Sequence, residues 1–286
     1  MFFEPYLNPA AGVVCRDGGL KQNNPIEKAL NEIKTIWGKG AILDVLLSVG
    51  SGRSKLPPNK PVSRFVVKGW LATLFDTFMT TFNGEDQWDS FSRVVEDSVK
   101  ERTKRLNIRF DTDREPALDD TSSIPSMKRT AQDYSFYMDE SHSLVRPGTE
   151  SMLEEVGLLL RAGLFFFHPT SVKLNQDQSV SVIKGVICCR LSPGDVPCRE
   201  LVSLSEGFEV PGLFVPMPSY EQCRSKLMIE VDFQHDMHAT EKQIDISVKF
   251  NGGHTVPISG SPFEFQVGYP NPPCKVVHQL IAGTAN

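Results

Sequence analysis

The chain of 286 residues has no apolar run approaching the ~18–20 residues of a membrane span, so no transmembrane segment is expected. It also lacks a basic N-terminal region followed by an apolar stretch. Met1-Phe2-Phe3 runs straight into Glu4 and Pro5, which is not the layout of a secretory signal. No Asn-x-Ser/Thr acceptor occurs anywhere. Cysteine is scarce. The six (Cys15, Cys188, Cys189, Cys198, Cys223 and Cys274) are too few for a disulfide framework, and none forms a C-x-x-C pair. They are expected as reduced thiols acting as small buried hydrophobes, which suits a cytoplasmic protein. Basic charge is not in excess: 30 Lys and Arg stand against 35 Asp and Glu, for a net charge of −5. That balance argues against a nucleic-acid partner, whose binders carry a basic stripe. It leaves room for peripheral contact at a membrane, because a local patch can differ from the total. No internal repeat and no low-complexity tract is present.

What remains is ordinary globular material, 40% hydrophobic and 23% charged. The length fits about two domains. Asp17-Gly18-Gly19 is a turn signal. Asn24 suits a helix N-cap and Pro25 the first helical position, and Glu27 three residues on completes a capping-box pattern. Ile26, Ala29, Leu30, Ile33 and Trp37 follow at helical spacing, and Gly38 and Gly40 end the helix. Ile42 to Val49 then reads as a strand buried on both faces, as in a parallel sheet. Helix and strand in that order are the α/β signature.

Residues 53–63, with Pro57, Pro58 and Pro61, read as an exposed loop. Helices are expected over Val66–Thr81, Asp86–Thr103 and Ser122–Tyr137, with a short strand at Leu106–Phe110. Lys100, Arg102, Lys104 and Arg105 read as a solvated helix end that complements the helix dipole. The Trp70–Met79 apolar stripe is either core or a lipid-facing surface. The polar stretch 139–149, with Pro147-Gly148, marks a boundary, and Glu150–Ala162 reads as a further helix. Strands dominate beyond it: Leu164–His168, Val180–Leu191, Phe208–Phe214, Lys226–Phe233, Ile244–Phe250 and Pro262–Val267. Ile244–Phe250 alternates strictly, as a half-buried antiparallel strand does. The expected organisation is residues 1–138, a linker and helix at 139–163, a β-sandwich at 164–268 and a tail at 269–286.

The run Asp17-Gly18-Gly19-Leu20-Lys21-Gln22-Asn23-Asn24-Pro25 resembles the aspartate block of the patatin-like phospholipases, D-G-G-x-x-x-N-N-P. The likeness extends through Trp37-Gly38 to Leu47-Ser48-Val49-Gly50-Ser51-Gly52, similar to a family strand ending L-S-x-G-T-G. Phe2-Phe3-Glu4-Pro5 is similar to the stretch before the block. Arg105-Leu106-Asn107, Pro116-Ala117-Leu118-Asp119-Asp120, Leu164-Phe165-Phe166-Phe167 and Ile187-Cys188-Cys189-Arg190-Leu191 resemble fungal members. The resemblance implies an α/β hydrolase-like fold with a Ser–Asp dyad acting on lipid esters, without metal or organic cofactor. It places the dyad base at Asp17, with Gly18 and Gly19 turning the backbone so that the carboxylate faces the serine. By its residues alone, Asp17 is a turn aspartate accepting backbone N–H groups. The sequence contains no G-x-S-x-G, and Gly50-Ser51-Gly52 has the wrong spacing for that elbow, so no nucleophile is assigned.

The fold expected is therefore α/β, a partial patatin-like hydrolase with a parallel-sheet remnant, followed by a C-terminal β-sandwich. Val248-Lys249-Phe250-Asn251-Gly252-Gly253 and Ser259-Gly260-Ser261-Pro262-Phe263 are similar to the closing strands of filamin-type immunoglobulin-like repeats. The leading reading is a lipid acyl hydrolase portion, inactive until an N-terminal segment supplies serine and oxyanion loop, with a lipid ester as substrate. The other is a non-catalytic binding module whose sandwich holds a protein partner. His235 and His238, three apart, read as a solvated turn rather than a metal site. Cys15 is no nucleophile, since a carboxylate two residues away disfavours its thiolate.

Overall fold

The computed structural model describes residues 6–15, 24–38, 40–53, 84–110, 120–136, 145–146, 151–174, 180–223, 227–236 and 243–264. Asp17, Gly18 and Gly19 lie outside them, as do the helix expected over Val66–Thr81, the loop after Arg53, and the tail. Two compact units are formed: Met1–Ala41 with Leu46–Ser135, and Ile42–Val45 with Phe136–Asn286.

The first unit opens with an antiparallel hairpin of β1 (Tyr6–Asn8) and β2 (Val13–Cys15), in register Tyr6 to Cys15. Helix α1 (Ile26–Trp37) follows, burying Ile26 and Leu30 one turn apart. Trp37, expected on the same face, is exposed, and Gly38 ends the helix at φ +90°, a conformation open mainly to glycine. Strand β3 (Leu46–Val49), helix α2 (Gly84–Val94), the single turn α3 (Asp97–Lys100) and strand β4 (Thr103–Leu106) come next. β3 and β4 pair in parallel, from Leu46 opposite Thr103 to Val49 opposite Leu106. Helix α4 (Ile124–Asp133) closes the described part of this unit.

Two expectations change here. The Ile42–Val49 segment is not one doubly buried strand. Its strand is Leu46–Val49, which buries Leu46 and Ser48 and exposes Val49, because among the described residues β4 and the helices cover one face. Ile42–Val45 belongs to the second unit, where Asp44 Oδ1 accepts from Gly260 N at 3.1 Å. The helix expected through Thr103 stops at Val94, where the adjacent β-branched Val94 and Val95 hold it poorly. Residues 103–106 then enter the sheet. Lys104 and Arg105, read as a solvated helix end, are consequently buried or nearly so.

The second unit begins with α5 (Met152–Ala162), whose Leu158, Leu159 and Ala162 are part of its core rather than of a linker. β5 (Phe165–Leu174), β6 (Val180–Cys189) and β9 (Met228–Asp236) form a three-stranded antiparallel sheet in the order β5-β6-β9. Helix α6 (Val196–Leu204), which has no counterpart in the periodicity reading, leads into β7 (Ser205–Val210). β7 pairs with β8 (Leu213–Pro216) through a turn at Gly212, φ +72°. β10 (Gln243–Ile244), β11 (Ser247–Phe250), β12 (Thr255–Pro257) and β13 (Phe263–Glu264) complete it. A four-stranded antiparallel sheet has the order β12-β11-β7-β8, and β10 pairs with β13. The inner faces of the two larger sheets share one cluster: Phe165 and Phe167, Ile183 and Ile187, and Phe208, Val248 and Phe250 are all essentially inaccessible. Phe165 meets Phe208 edge to face at 5.0 Å between ring centres.

The chain therefore mixes helices with one small parallel pair and several antiparallel sheets. The alternation read over Ile244–Phe250 is observed as burial of Ile244, Ile246, Val248 and Phe250. The strand nonetheless changes partners midway. β10 pairs with β13 and β11 with β7, and between them Ile246 N donates to Ser261 Oγ at 3.0 Å.

Candidate functional site

Polar groups gather at the carboxyl end of the β3–β4 pair, the end at which open parallel sheets place their ligands. The chain leaves β3 through Gly50–Arg53 and β4 through Asn107–Phe110, and the two exits stay hydrogen-bonded. Gly50 N donates to Leu106 O at 2.7 Å, Arg53 N to Ile108 O at 2.8 Å, and Phe110 N to Arg53 O at 2.8 Å. Gly52 N donates to the side chain of Asn107 at 2.8 Å. A Cβ on Gly50 would run into Asn107 Oδ1, and one on Gly52, at φ +105°, into the ring of Phe110. Only glycine permits so close an approach.

α1 and α2 begin at the same end. Asn24, 3% exposed, joins them: its N–H donates to Gln87 Oε1 at 2.7 Å and its Nδ2 to Gly84 O at 3.3 Å. Its Oδ1 accepts from Ile26 N at 3.3 Å, two residues on, satisfying an otherwise orphan helix N–H. Pro25 is the residue at the helix boundary. The Asn24 N–H that a capping box would direct to Glu27 goes to Gln87 instead.

From Asn24 a chain of contacts crosses the strand ends. Ser48 Oγ donates to Asn24 Oδ1 at 3.1 Å and accepts from Arg105 Nη1 at 2.8 Å. Arg105 also donates through Nε and Nη2 to Glu85 Oε1, at 3.2 and 2.7 Å. Asn107 Nδ2 donates to the same oxygen at 2.7 Å, and Arg53 Nη1 to Glu85 Oε2 at 3.0 Å. One carboxylate thus answers two guanidinium groups. Arg105 and Glu85 are 12% and 16% exposed, whereas Arg53 is half in solvent. Charge-assisted bonds of this kind are strong when desolvated.

The described bonds of the cluster hold groups in place. Among the described residues Ser48 meets an amide and a cation, and neither takes its proton. Both oxygens of Glu85 are already engaged by donors. A serine–carboxylate pairing does exist at Asp120, which accepts from Ser122 Oγ and Ser123 Oγ, both at 2.5 Å. Those bonds, together with the Ser122 and Ser123 N–H groups, hold the Asp120 carboxyl below its usual range, which makes it a weak base. With partners only two and three residues away, it is a local turn at the head of α4.

Among the described residues no cluster of three or more His, Cys, Asp or Glu is placed to hold a metal. His235 lies at the end of β9 rather than in a turn. Burial pushes the Cys189 thiol up to about 11 and also raises Cys198 beside it, so neither is an activated nucleophile. No helix is long and apolar enough to cross a membrane among the described residues.

The structure thus brings together Asn24, Ser48, Gly50, Gly52, Arg105 and Asn107, residues that the sequence offers in three separate stretches. Glu85, Gln87 and Arg53, which tie them together, carry no signal of their own in the sequence: Glu85 sits in an unremarkable acidic first turn. Comparison with known protein families, curated proteins and solved structures finds no match.

Proposed function

We propose that the chain is the aspartate-bearing portion of a patatin-like lipid acyl hydrolase joined to a β-sandwich. Asp17 serves as the base of a Ser–Asp dyad whose serine this sequence does not contain. One observation supports the reading most. The stretches that resemble the family (Asn24-Pro25, Leu47 to Gly52, and Arg105 to Asn107) converge on one hydrogen-bonded cluster at the carboxyl end of parallel strands. A catalytic turn needs support of this kind from neighbouring elements, and Asp17 lies seven residues before Asn24 in the sequence. The two antiparallel sheets around one core support the sandwich in the same way.

A dyad acts as a unit, so loss of one member removes nearly the whole catalytic effect. The purified chain is expected to show no hydrolysis of p-nitrophenyl acyl esters above buffer and no labelling by a fluorophosphonate. Joined to a segment that supplies a G-x-S-x-G elbow and an oxyanion loop, it should hydrolyse them, and Asp17→Asn should abolish that activity without altering the fold. Asparagine keeps the shape of aspartate but takes no proton. Turnover by the isolated chain, or an active fusion indifferent to Asp17→Asn, would refute the assignment. An inactive but folded fusion favours the non-catalytic binding module.

A further inference from the structure

Helix α6 (Val196–Leu204) hands the chain directly to β7, and its last four carbonyls have no partners within the helix. All four are answered, from two places. Ser205, the next residue, donates its Oγ to Leu201 O at 2.8 Å and its N–H to Val202 O. The other two donors come from the turn between β11 and β12. Asn251 Nδ2 donates to Ser203 O at 2.8 Å, and Asn251 N to Leu204 O at 2.8 Å. One asparagine, 48 residues along the chain from Ser203, thus supplies half of the cap.

That asparagine sits in a chemically vulnerable setting. Phe250 to Gly253 is a β-turn closed by Gly253 N donating to Phe250 O at 3.0 Å, with Asn251 and Gly252 at its centre. Gly252 takes φ +93°, a conformation that favours glycine, and the lack of a side chain leaves its peptide nitrogen open to approach. Asn251 and Gly252 are both exposed. Among the described residues the Gly252 N–H makes no hydrogen bond, although Asn251 N and Gly253 N on either side do. That nitrogen follows Asn251 directly in the chain, so rotation of the exposed side chain away from Ser203 brings its amide carbon into reach.

We propose that Asn251 is a site of spontaneous deamidation, and that the modification uncaps α6. Gly252 N gives its proton to hydroxide and bonds to Asn251 Cγ, while Nδ2 takes a proton from water and leaves as ammonia. Water then opens the resulting succinimide at either carbonyl, so residue 251 becomes aspartate or isoaspartate, with no change of oxidation state. Either product replaces a donor by a carboxylate, which only accepts. It does so against the Ser203 carbonyl, at the negative end of the α6 dipole. In isoaspartate the main chain also runs through Cβ and Cγ, which shifts the Gly253 N–H away from Phe250 O. The proposal stands on this turn and does not rest on the acyl-hydrolase reading.

The test ages the full chain at mildly alkaline pH and follows residue 251 by mass spectrometry of the tryptic peptide that begins at Phe250. A sample unfolded in urea is aged beside it. Amide-to-acid conversion at Asn251 should appear in the folded chain and quicken in proportion to hydroxide. It should outpace conversion at Asn31 and Asn107, whose successors Glu32 and Ile108 carry side chains that crowd the nitrogen. The aged protein should lose about fivefold of its hydrogen-exchange protection at the residue-251 amide, because the turn is no longer held to α6. Asn251→Asp should show that loss from the outset. Asn251→Gln, whose extra methylene disfavours ring closure, should not convert on ageing. If the folded chain kept its Asn251 amide while the unfolded chain lost it, the bond to Ser203 would be protecting the site and the proposal would fall. It would fall equally if neither sample converted. Conversion with protection unchanged, in the aged protein and in Asn251→Asp alike, would overturn the uncapping.

Discussion

The described residues of the two units are held together by different forces. The second gathers twenty-three buried apolar side chains into one cluster between its larger sheets. The described part of the first buries only Ile26, Leu30, Leu46, Phe91 and Phe110, and leaves Tyr6, Leu7, Val13, Val14 and Val49 more than half exposed. Its order comes instead from directional contacts: a carboxylate between two arginines, an asparagine bridging two helices, and glycines that let two loops touch. In a close-packed apolar core the loss of one side chain forfeits many contacts at once. In a polar cluster the loss of one partner leaves another buried group unpaired, at the cost of its desolvation.

The sharpest way to break the comparison is to separate the units. Residues 136–286 should fold cooperatively alone. They lose only the Ile42–Val45 segment and its Asp44 contacts with Gly260 and Arg190, not the core. Residues 1–135 should aggregate or remain loosely packed, because among the described residues the parallel pair is covered on one face and leaves Val49 exposed. Dispersed amide spectra and a sharp melt for residues 1–135 would erase the contrast.

Paired substitutions in the full chain sharpen it. Phe208→Ala empties a wholly buried site against Phe165 and should lower stability by about 3–5 kcal/mol, read by urea unfolding followed in the second unit. Glu85→Gln keeps the shape but strands Arg105, which is 12% exposed, without its counter-charge. It should cost about 2–3 kcal/mol in the first unit alone, followed by amide exchange near Ser48 and Asn107. Were Glu85→Gln silent there, the cluster would be an ornament of the surface rather than what orders this unit.

The smallest effect concerns the second unit's dryness. Burial, the chief cause, holds the Cys189 thiol at about 11 against an ordinary 9.0. The folded protein therefore keeps its proton over a range in which the unfolded chain releases it, so this group's stabilising contribution is full below about pH 9 and declines as pH rises towards about 11. Iodoacetamide at pH 8 should label Cys189 about a hundredfold more slowly than an unstructured cysteine, by mass spectrometry of tryptic peptides. Labelling at the unstructured rate would mean that the core admits solvent there.

Much of the local architecture was legible along the chain, and the misses share a cause. Helix α1 follows from Asn24-Pro25 and the spacing of Ile26 and Leu30, and β11 from strict alternation, because both depend on residues within one turn or one pleat of each other. The helix α6 was missed because Val196–Leu204 is short and runs directly into β7. The strand β4 was displaced because Arg102–Arg105 reads as a helix end by charge, and only pairing with β3 shows otherwise.

The candidate site divides the same way. The sequence by itself determined which residue types were at hand: the Asp-Gly-Gly to Asn-Asn-Pro run, the Leu-Ser-x-Gly-x-Gly strand end and the Arg-Leu-Asn stretch, together with the lack of a G-x-S-x-G sequence. Tertiary structure alone decided that Asn24 answers Gln87 across 63 residues and that Arg105 reaches Ser48 across 57, with Glu85 neutralising them. Periodicity reports which face of a segment avoids water, because that depends on neighbours a few residues away. A hydrogen bond between segments depends on where the backbone carries each donor, and that is decided only when β3 and β4 pair and bring their ends together.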